Sequence, residues 1–222
     1  MNYIYVDTGA LCRAVGVYCL RKGIVTTDAD GVGSVLNEIN VELKFIDGVQ
    51  HVYLNGDDVS TEIRLPEASM AASNVSAIPA VRAFLFDLQR DIAAKNNCIM
   101  DGRDIGTVVL PNAQVKIFLT ADDTERAMRR YKELQEKGST VTYQEVLDDL
   151  RVRDYNDSHR EIAPLKPAED SVIVNTTNYT LEESINKIVE TVEEKFESSS
   201  PRACGLEEFK LGEIASPMAW TF

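Results

Sequence analysis

The sequence predicts an α/β fold, in which helices cover a parallel sheet and a small three-stranded antiparallel insert interrupts the chain. Short apolar runs alternate with longer segments of helical periodicity, a pattern typical of such a sheet. Two of the runs end abruptly in polar residues, with D-T-G at 7–9 and D-G-R-D at 101–104. Hairpin signals between residues 41 and 59 indicate the insert.

The elements of the first half follow in chain order. A strand is predicted over 3–6 and a helix over about 10–22, ended by Gly23. Segment 41–59 alternates polar and apolar residues around Asp47-Gly48 and Asn55-Gly56, and these dipeptides favour type I′ turns. Helical periodicity returns over 66–95, broken near Pro79, and a strand follows over 97–100.

The second half continues the alternation. We expect a buried strand over 115–119, helices over 124–137 and 143–155, and a strand over 171–175. The last helix is predicted over 181–197, with apolar residues at helical spacing: Leu181, Ile185, Ile188 and Val192. Residues 198–222 show no sustained period and predict an irregular tail after a single domain over 1–197.

Composition excludes several classes of protein. A formal net charge of −13 repels nucleic-acid backbones, so no nucleic-acid polymer is expected as a partner. No apolar run reaches the length of a membrane span and no signal pattern begins the chain, so we expect a cytoplasmic protein without a membrane partner. The four cysteines lack C-x-x-C spacing and only two histidines are present, which argues against a protein-held metal site or a disulfide framework.

The two polar strand ends indicate a ligand site. Carboxyl ends of parallel strands face the ligand crevice in open α/β sheets. Each end offers a carboxylate, a small residue and a nearby arginine, Arg13 or Arg103, which suits an anionic, hydrogen-bonding ligand. Helix capping and turn chemistry are the alternative explanation for either segment alone.

Arginines also cluster at 126–130 and 151–160. Their planar donors suit phosphate or carboxylate groups, although salt-bridge networks on helix faces explain each cluster equally well.

Ordered motifs connect the chain with a known family. They are Y-V-D-T-G-A-L-C-R at 5–13, the insert, A-A-S-N-V-S at 71–76, P-A-V-R at 79–82, D-G-R-D-I-G-T-V-V-L-P at 101–111, E-R-A-M-R-R-Y at 125–131, and R-D-Y-N-D-S-H-R-E-I-A-P-L at 153–165. In this order they closely resemble bacterial cytidylate kinases over about residues 1–195. The resemblance implies a nucleoside monophosphate kinase-like fold, with a nucleotide-binding insert at about 41–64 and a lid at about 124–160.

The resemblance also implies a reaction and the residues for it. ATP, with Mg²⁺, would phosphorylate CMP or dCMP in a monomeric enzyme. Substrate contacts are expected from Asp7, Thr8, Gly9, Arg13, Ser73, Arg82, Arg103, Asp104, Arg129, Arg153 and Asp157. Catalytic roles are expected for Arg126 and Arg130 of the lid, Arg160 near the transferring phosphate, and Asp101.

Within that set, roles divide by nucleotide part. Arg13 and Arg103 match arginines that hold the α-phosphate, and Arg153 and Asp157 match ribose contacts. Ser73, Arg82 and Asp104 match the positions that read the base. Asp101, at its strand end, is expected to hold Mg²⁺ through water, with a cap or turn role as the alternative.

One family motif has no counterpart in these 222 residues. Cytidylate kinases carry a strand, a G-x-x-x-x-G-K-[ST] loop and a helix before the Y-V-D-T-G strand, and no segment here matches that loop. The loop cradles donor phosphates with backbone N–H groups and a lysine. We therefore expect a shortened form that lacks the central strand of the sheet and has impaired phosphoryl transfer. The alternative is a catalytically inactive module that binds CMP.

Overall fold

The computed structural model describes residues 3–46 and 49–199, which form seven strands and seven α-helices. They divide into two compact units. The first holds the residues up to Ile105 together with Arg160–Ala163, and the second holds Gly106–His159 together with the residues from Pro164 onward.

The described residues of the first unit contain five strands and four α-helices. In chain order they are β1 (Ile4–Asp7), α1 (Thr8–Arg21), α2 (Ala29–Val35), β2 (Val41–Ile46), β3 (Val49–Leu54), β4 (Asp57–Asp58), α3 (Pro66–Ser76), α4 (Pro79–Lys95) and β5 (Cys98–Asp101).

The second unit contains five regular elements. They are β6 (Ile117–Thr120), α5 (Asp123–Glu136), α6 (Tyr143–His159), β7 (Val172–Asn175) and α7 (Leu181–Ser199). A π-helical turn, Ile105–Val109, begins at the boundary between the units.

Strand pairing confirms the α/β class with an antiparallel insert. β1 pairs in parallel with β5, and β6 pairs in parallel with β7. β2, β3 and β4 form the antiparallel sheet. The described parallel strands thus form two separate two-stranded sheets. Burial on both faces is incomplete, because Ile99 of β5 is 36% exposed and Ile173 of β7 is 62% exposed. Each of these strands pairs with only one other described strand, so no side chains of a third strand cover the two isoleucines.

The core of the first unit is organised around α1. Leu11 and every residue from Ala14 to Cys19 are buried, as expected for a helix that is covered on most of its sides. The helix packs against α3, α4 and the insert. The second unit has a smaller core, in which Ala127 of α5 meets Val146 and Leu147 of α6.

The insert confirms one predicted turn. Asn55 and Gly56 both have positive φ, at 50° and 89°, as a type I′ turn requires. The other predicted turn, Asp47-Gly48, lies outside the described residues, although Ile46 and Val49 on either side of it are paired.

Several boundaries differ from the predicted ones. α2 was not predicted, since it is only seven residues long and buries only Val32. α6 extends four residues beyond the predicted end at 155, to His159. α7 extends to Ser199, and its first residue, Leu181, is 53% exposed rather than part of the buried face. The rest of the predicted tail, from residue 200, lies outside the described residues.

Among the helices that the structure describes, none combines the length and the apolar character needed to cross a bilayer.

Candidate active site

The carboxyl ends of β1 and β5 bring two carboxylates together. Parallel pairing places Asp7 directly opposite Asp101. Asp7 is the N-cap of α1, and its Oδ1 accepts a hydrogen bond from the Ala10 N–H at 3.0 Å. Its Oδ2 accepts from the Arg13 guanidinium. The capping role that the sequence allowed is therefore present, and the same carboxylate also orients an arginine at the strand tips.

The backbone is close-packed at this point. The Thr8 hydroxyl is buried and donates to the Asp101 carbonyl oxygen at 2.6 Å. A Cβ on Gly102 would lie only 2.4 Å from the Thr8 Oγ1, so the turn after β5 requires glycine there. A Cβ on Gly9 would lie 3.0 Å from the Arg13 Nη1. Both glycines thus leave room for the polar groups of the strand tips.

Asp101 lies in an environment that favours its protonated form. Burial, and then the Asp7 carboxylate, raise the pKa of Asp101 to about 7, against the opposing effects of the Tyr5 hydroxyl, Arg103 and Arg13. The Tyr5 hydroxyl hydrogen-bonds to the Asp101 carboxylate. The Asp101 Oδ1 atom is buried and has no hydrogen-bond partner among the described residues.

A second polar cluster surrounds Asp104, just after these strand ends. Its carboxylate accepts from the Arg82 guanidinium, and its Oδ1 lies 3.8 Å from the Arg160 Nη2. The three side chains are only 11%, 18% and 9% exposed, respectively. Since an ionised group is rarely buried without partners, two cations around one carboxylate account for its stability here.

Cys12 of α1 lies close to both clusters. The charges of Arg13, Arg82, Asp104 and Arg160 all act on its thiol. Burial nevertheless dominates and raises the pKa of Cys12 to about 11, so the thiol is neutral near pH 7. Arg82 of α4, Asp104 and Arg160 therefore all lie near this residue of α1.

The first unit also contains the predicted residues Arg103 and Ser73. Arg103 is half-buried, and its charge acts on Asp101. Ser73 is half-buried on α3, where its carbonyl oxygen accepts from the Ser76 hydroxyl at 2.9 Å.

The arginines of α5 belong to the second unit and form ion pairs there. Arg126 donates to Asp154 of α6 at 2.7 Å. Arg129 donates to the Thr176 carbonyl oxygen at 2.7 Å, and Arg130 pairs with Glu133 at 2.8 Å. The salt-bridge network that the sequence left open is thus present, and the lid role of these arginines stays a prediction.

Arg153 and Asp157 both lie on α6. Arg153 is half-buried. Asp157 is only 7% exposed, because it continues the face of α6 that buries Val146 and Leu150. Its carbonyl oxygen accepts from the Leu165 N–H at 2.8 Å. Their ribose-binding role stays a prediction.

Sequence reasoning missed three residues of the site. Tyr5 precedes Asp7 by two positions in a strand, so alternation places both on one face, a signal that the sequence did contain. The Gln50 side chain of β3 accepts a hydrogen bond from the Asp7 N–H at 3.1 Å. No local sequence pattern predicts this long-range contact. Cys12 has one charged neighbour in the sequence, Arg13, but Arg82, Asp104 and Arg160 come from distant segments that no local pattern connects with it.

Of the described residues, no group of three histidine, cysteine, aspartate or glutamate side chains is placed to hold a metal ion by itself.

Comparisons with known proteins agree with the motifs. A family model for cytidylate kinase matches residues 1–194. The cytidylate kinase of Caldicellulosiruptor bescii is 47% identical over 190 residues, which are 86% of this chain and 84% of that protein. Those of Lactobacillus johnsonii and Thermosipho africanus are 45% and 48% identical, each over 88% of this chain and 85% of the relative. The polar strand tips and the arginine-paired aspartate of the first unit therefore lie in a chain that belongs to the cytidylate kinase family.

Proposed function

We propose that this protein binds CMP or dCMP at the strand-tip site of the first unit, which consists of Asp7, Asp101 and the cluster around Asp104. We further propose that its reaction is ATP-dependent phosphorylation of that nucleotide. The products would be CDP or dCDP. The observation that carries the proposal is the buried Asp104 carboxylate between Arg82 and Arg160, beside the two aspartates of β1 and β5.

Cytosine fits the donors and acceptors of this cluster. It presents an exocyclic amino donor next to ring acceptors. Asp104 supplies an acceptor and Arg82 supplies donors, and the two side chains are already in contact. Uracil would turn a carbonyl oxygen toward the same carboxylate, so the pair favours cytosine.

The arginines near the strand tips suit the phosphate. Arg13 is held by Asp7, so its direction is fixed before a ligand arrives. We assign the α-phosphate to Arg13 and Arg103, and the migrating phosphoryl group to Arg160. Phosphoryl transfer depends mainly on in-line positioning and on positive charge around that group.

The remaining assignments rest on the family motifs. Arg153 and Asp157 are proposed to contact the ribose, and Arg126, Arg129 and Arg130 to act in a mobile lid that excludes water. The monomeric state and the cytoplasmic location likewise stay predictions.

Magnesium fits the carboxylates of the strand tips. Mg²⁺ prefers hard oxygen ligands and is often held by one or two carboxylates, with waters and substrate phosphates completing its shell. Asp101 offers a buried oxygen without a hydrogen-bond partner among the described residues, and Asp7 lies opposite it. When bound, the ion would neutralise charge on the nucleotide phosphates.

The 222 residues lack the motif with which the family binds the phosphates of the phosphoryl donor, ATP. They contain no G-x-x-x-x-G-K-[ST] segment to cradle the ATP phosphates. We therefore propose that these residues alone bind CMP but transfer phosphate slowly. A catalytically inactive CMP-binding module is the second candidate, and the same missing motif favours it.

Calorimetric titration with CMP and UMP, followed by a coupled assay of ADP release with ATP and Mg²⁺, tests the proposal. CMP should bind more tightly than UMP. Binding with turnover would support the kinase, and binding without turnover would support the binding module. Absence of CMP binding by the folded protein would refute both.

Replacing Asp104 tests the base-reading pair directly. Asp104→Asn should reduce the preference for CMP over UMP by about 1–3 kcal/mol, the usual contribution of one base-edge hydrogen-bond pair. Asp91→Asn, which removes an exposed carboxylate paired with Lys95, is the matched control and should leave the preference unchanged. An unchanged preference in Asp104→Asn would remove that residue from base recognition.

A further inference from the structure

The segment after α6 contains a backbone conformation that its residue does not favour. Ala163 has a φ of +50°, and the only other non-glycine residue with positive φ among those described is Asn55. Asparagine tolerates the left-handed region because its side chain can hydrogen-bond locally, whereas alanine has no such compensation. Left-handed backbone at a residue of this kind persists only where the surroundings impose it.

The contacts of Ala163 show what imposes it. Its carbonyl oxygen accepts a hydrogen bond from the Arg160 Nε at 2.6 Å. Segment Arg160–Ala163 packs with the first unit, although the chain on either side of it belongs to the second. The last residue of this turn, Ala163, therefore contacts its first residue, Arg160, and both belong to the unit that contains Asp104.

The Nε contact fixes more than one atom of Arg160. A guanidinium group is planar, so an anchored Nε restricts the plane in which both terminal nitrogens lie. The Arg160 side chain is only 9% exposed, and its Nη2 lies 3.8 Å from the Asp104 Oδ1. The other oxygen of Asp104 accepts from Arg82. The orientation of the Arg160 guanidinium therefore affects the position of Asp104 and, through it, the contact between Asp104 and Arg82.

We propose that Ala163 is a positioning residue for Arg160: its left-handed backbone turns its carbonyl oxygen onto the Arg160 Nε and holds the guanidinium beside Asp104 in the site that takes CMP. The relevance to CMP rests on the proposed function, whereas the orientation of Arg160 does not. The alanine side chain takes no direct part, so backbone preference alone should decide which substitutions are accepted.

A pair of substitutions separates backbone preference from side-chain loss. Glycine adopts positive φ freely, so Ala163→Gly should keep the contact. A β-branched residue is a genuine outlier in this region, so Ala163→Val should displace the carbonyl oxygen. Gly23→Val is the matched control, because Gly23 has a φ of +67° and a Cβ there would meet nothing within 4 Å. It introduces similar backbone strain away from the Asp104 cluster.

The first measurement needs no ligand. In the 222-residue protein, the NMR signal of the Arg160 Nε–H should be protected from exchange with water in wild type, Ala163→Gly and Gly23→Val. It should lose that protection in Ala163→Val. Protection that persists in Ala163→Val would overturn the proposal, whatever the protein binds.

The second measurement uses CMP. Ala163→Val should weaken CMP binding about tenfold, because a displaced Arg160 would no longer hold Asp104, the carboxylate proposed to read the base. Ala163→Gly should stay close to wild type, and Gly23→Val should lose thermal stability but keep its CMP affinity. If wild type itself fails to bind CMP, the proposed function fails, and the exchange measurement still decides the role of Ala163.

A double substitution completes the test. Lysine cannot reproduce the Nε donor and planar fork of arginine. In an Arg160→Lys background, Ala163→Val should therefore cause no further loss of CMP affinity. Independent, additive losses would show that Ala163 acts through something other than Arg160 and would contradict the proposal.

Discussion

Asp7 combines tasks that are often divided among several residues. One carboxylate oxygen caps α1, the other holds Arg13, and the backbone N–H donates to Gln50 of the insert. These contacts join the first strand, the central helix and the insert at one point. Arg13 is consequently directed before any ligand binds, which lowers the cost of ordering it when an anion arrives.

Asp101 makes the stability of the protein depend on pH. Its pKa of about 7 exceeds the ordinary value of 3.8, so the folded protein holds this proton more tightly than the unfolded chain does. The contribution of Asp101 to the free energy of unfolding should therefore fall as pH rises from about 4 to about 7. Asp101→Asn should gain stability relative to wild type over that interval.

Urea unfolding across this pH range, with EDTA present to exclude bound cations, measures the effect. The exposed Asp91→Asn variant should follow the wild-type curve. Parallel curves for wild type and Asp101→Asn would show that the Asp101 carboxyl ionises normally in the folded protein.

Between elements, the close approach of α1 and α3 depends on Gly16. A Cβ at Gly16 would lie 2.8 Å from the Ala71 Cβ and 3.2 Å from two backbone atoms of α3. Since backbone cannot move aside as a flexible side chain does, the two helices would have to separate.

Gly16→Ala should therefore destabilise the protein in spite of its higher helix propensity. Overpacking costs about 1–3 kcal/mol and the propensity gain returns up to about 1 kcal/mol, which leaves a net loss of about 1 kcal/mol. Gly33→Ala is the control, because Gly33 lies in α2 and a Cβ there would meet nothing within 4 Å. Denaturant midpoints should fall for Gly16→Ala and stay level or rise for Gly33→Ala. Equal responses would rule out tight packing at Gly16.

Elements with a clear periodicity of apolar residues, or with a turn motif, were predictable from the sequence. Features that depend on contacts between distant segments were not. The aspartates that end β1 and β5 follow from apolar runs that stop at polar residues, and the Asn55-Gly56 turn follows from its required φ values. α2 is too short and too little buried to show a period. The contact between Gln50 and Asp7 spans 43 positions and depends on how the insert packs.

Across the whole molecule, arginines form two groups: those near the strand ends of the first unit, and those of α5, which form ion pairs in the second unit. Arg13, Arg82 and Arg160 pair with carboxylates at the strand-tip site. The chain as a whole is strongly acidic, with a formal net charge of −13. Under the proposed function, a small nucleotide would contact only these local arginines, whereas a long polyanion would also be repelled by the excess negative charge of the chain.

The protein should therefore distinguish a mononucleotide from a polymer of the same base. At low ionic strength, a labelled 5′-phosphorylated oligo(dC) should show no change in fluorescence anisotropy at protein concentrations that bind dCMP. The labelled mononucleotide is the positive control. Oligonucleotide binding that weakens as salt is added would instead reveal a basic surface and contradict this expectation.

The contact between Gly102 and Thr8 has a practical consequence for protein engineering. Any side chain at position 102 would collide with a hydroxyl already engaged with the neighbouring carbonyl oxygen. Libraries designed to alter nucleobase choice should therefore keep this codon constant. Of the residues proposed to read the base, Ser73 on α3 is the better position to vary, because replacing Arg82 would remove a cation from the buried Asp104 carboxylate.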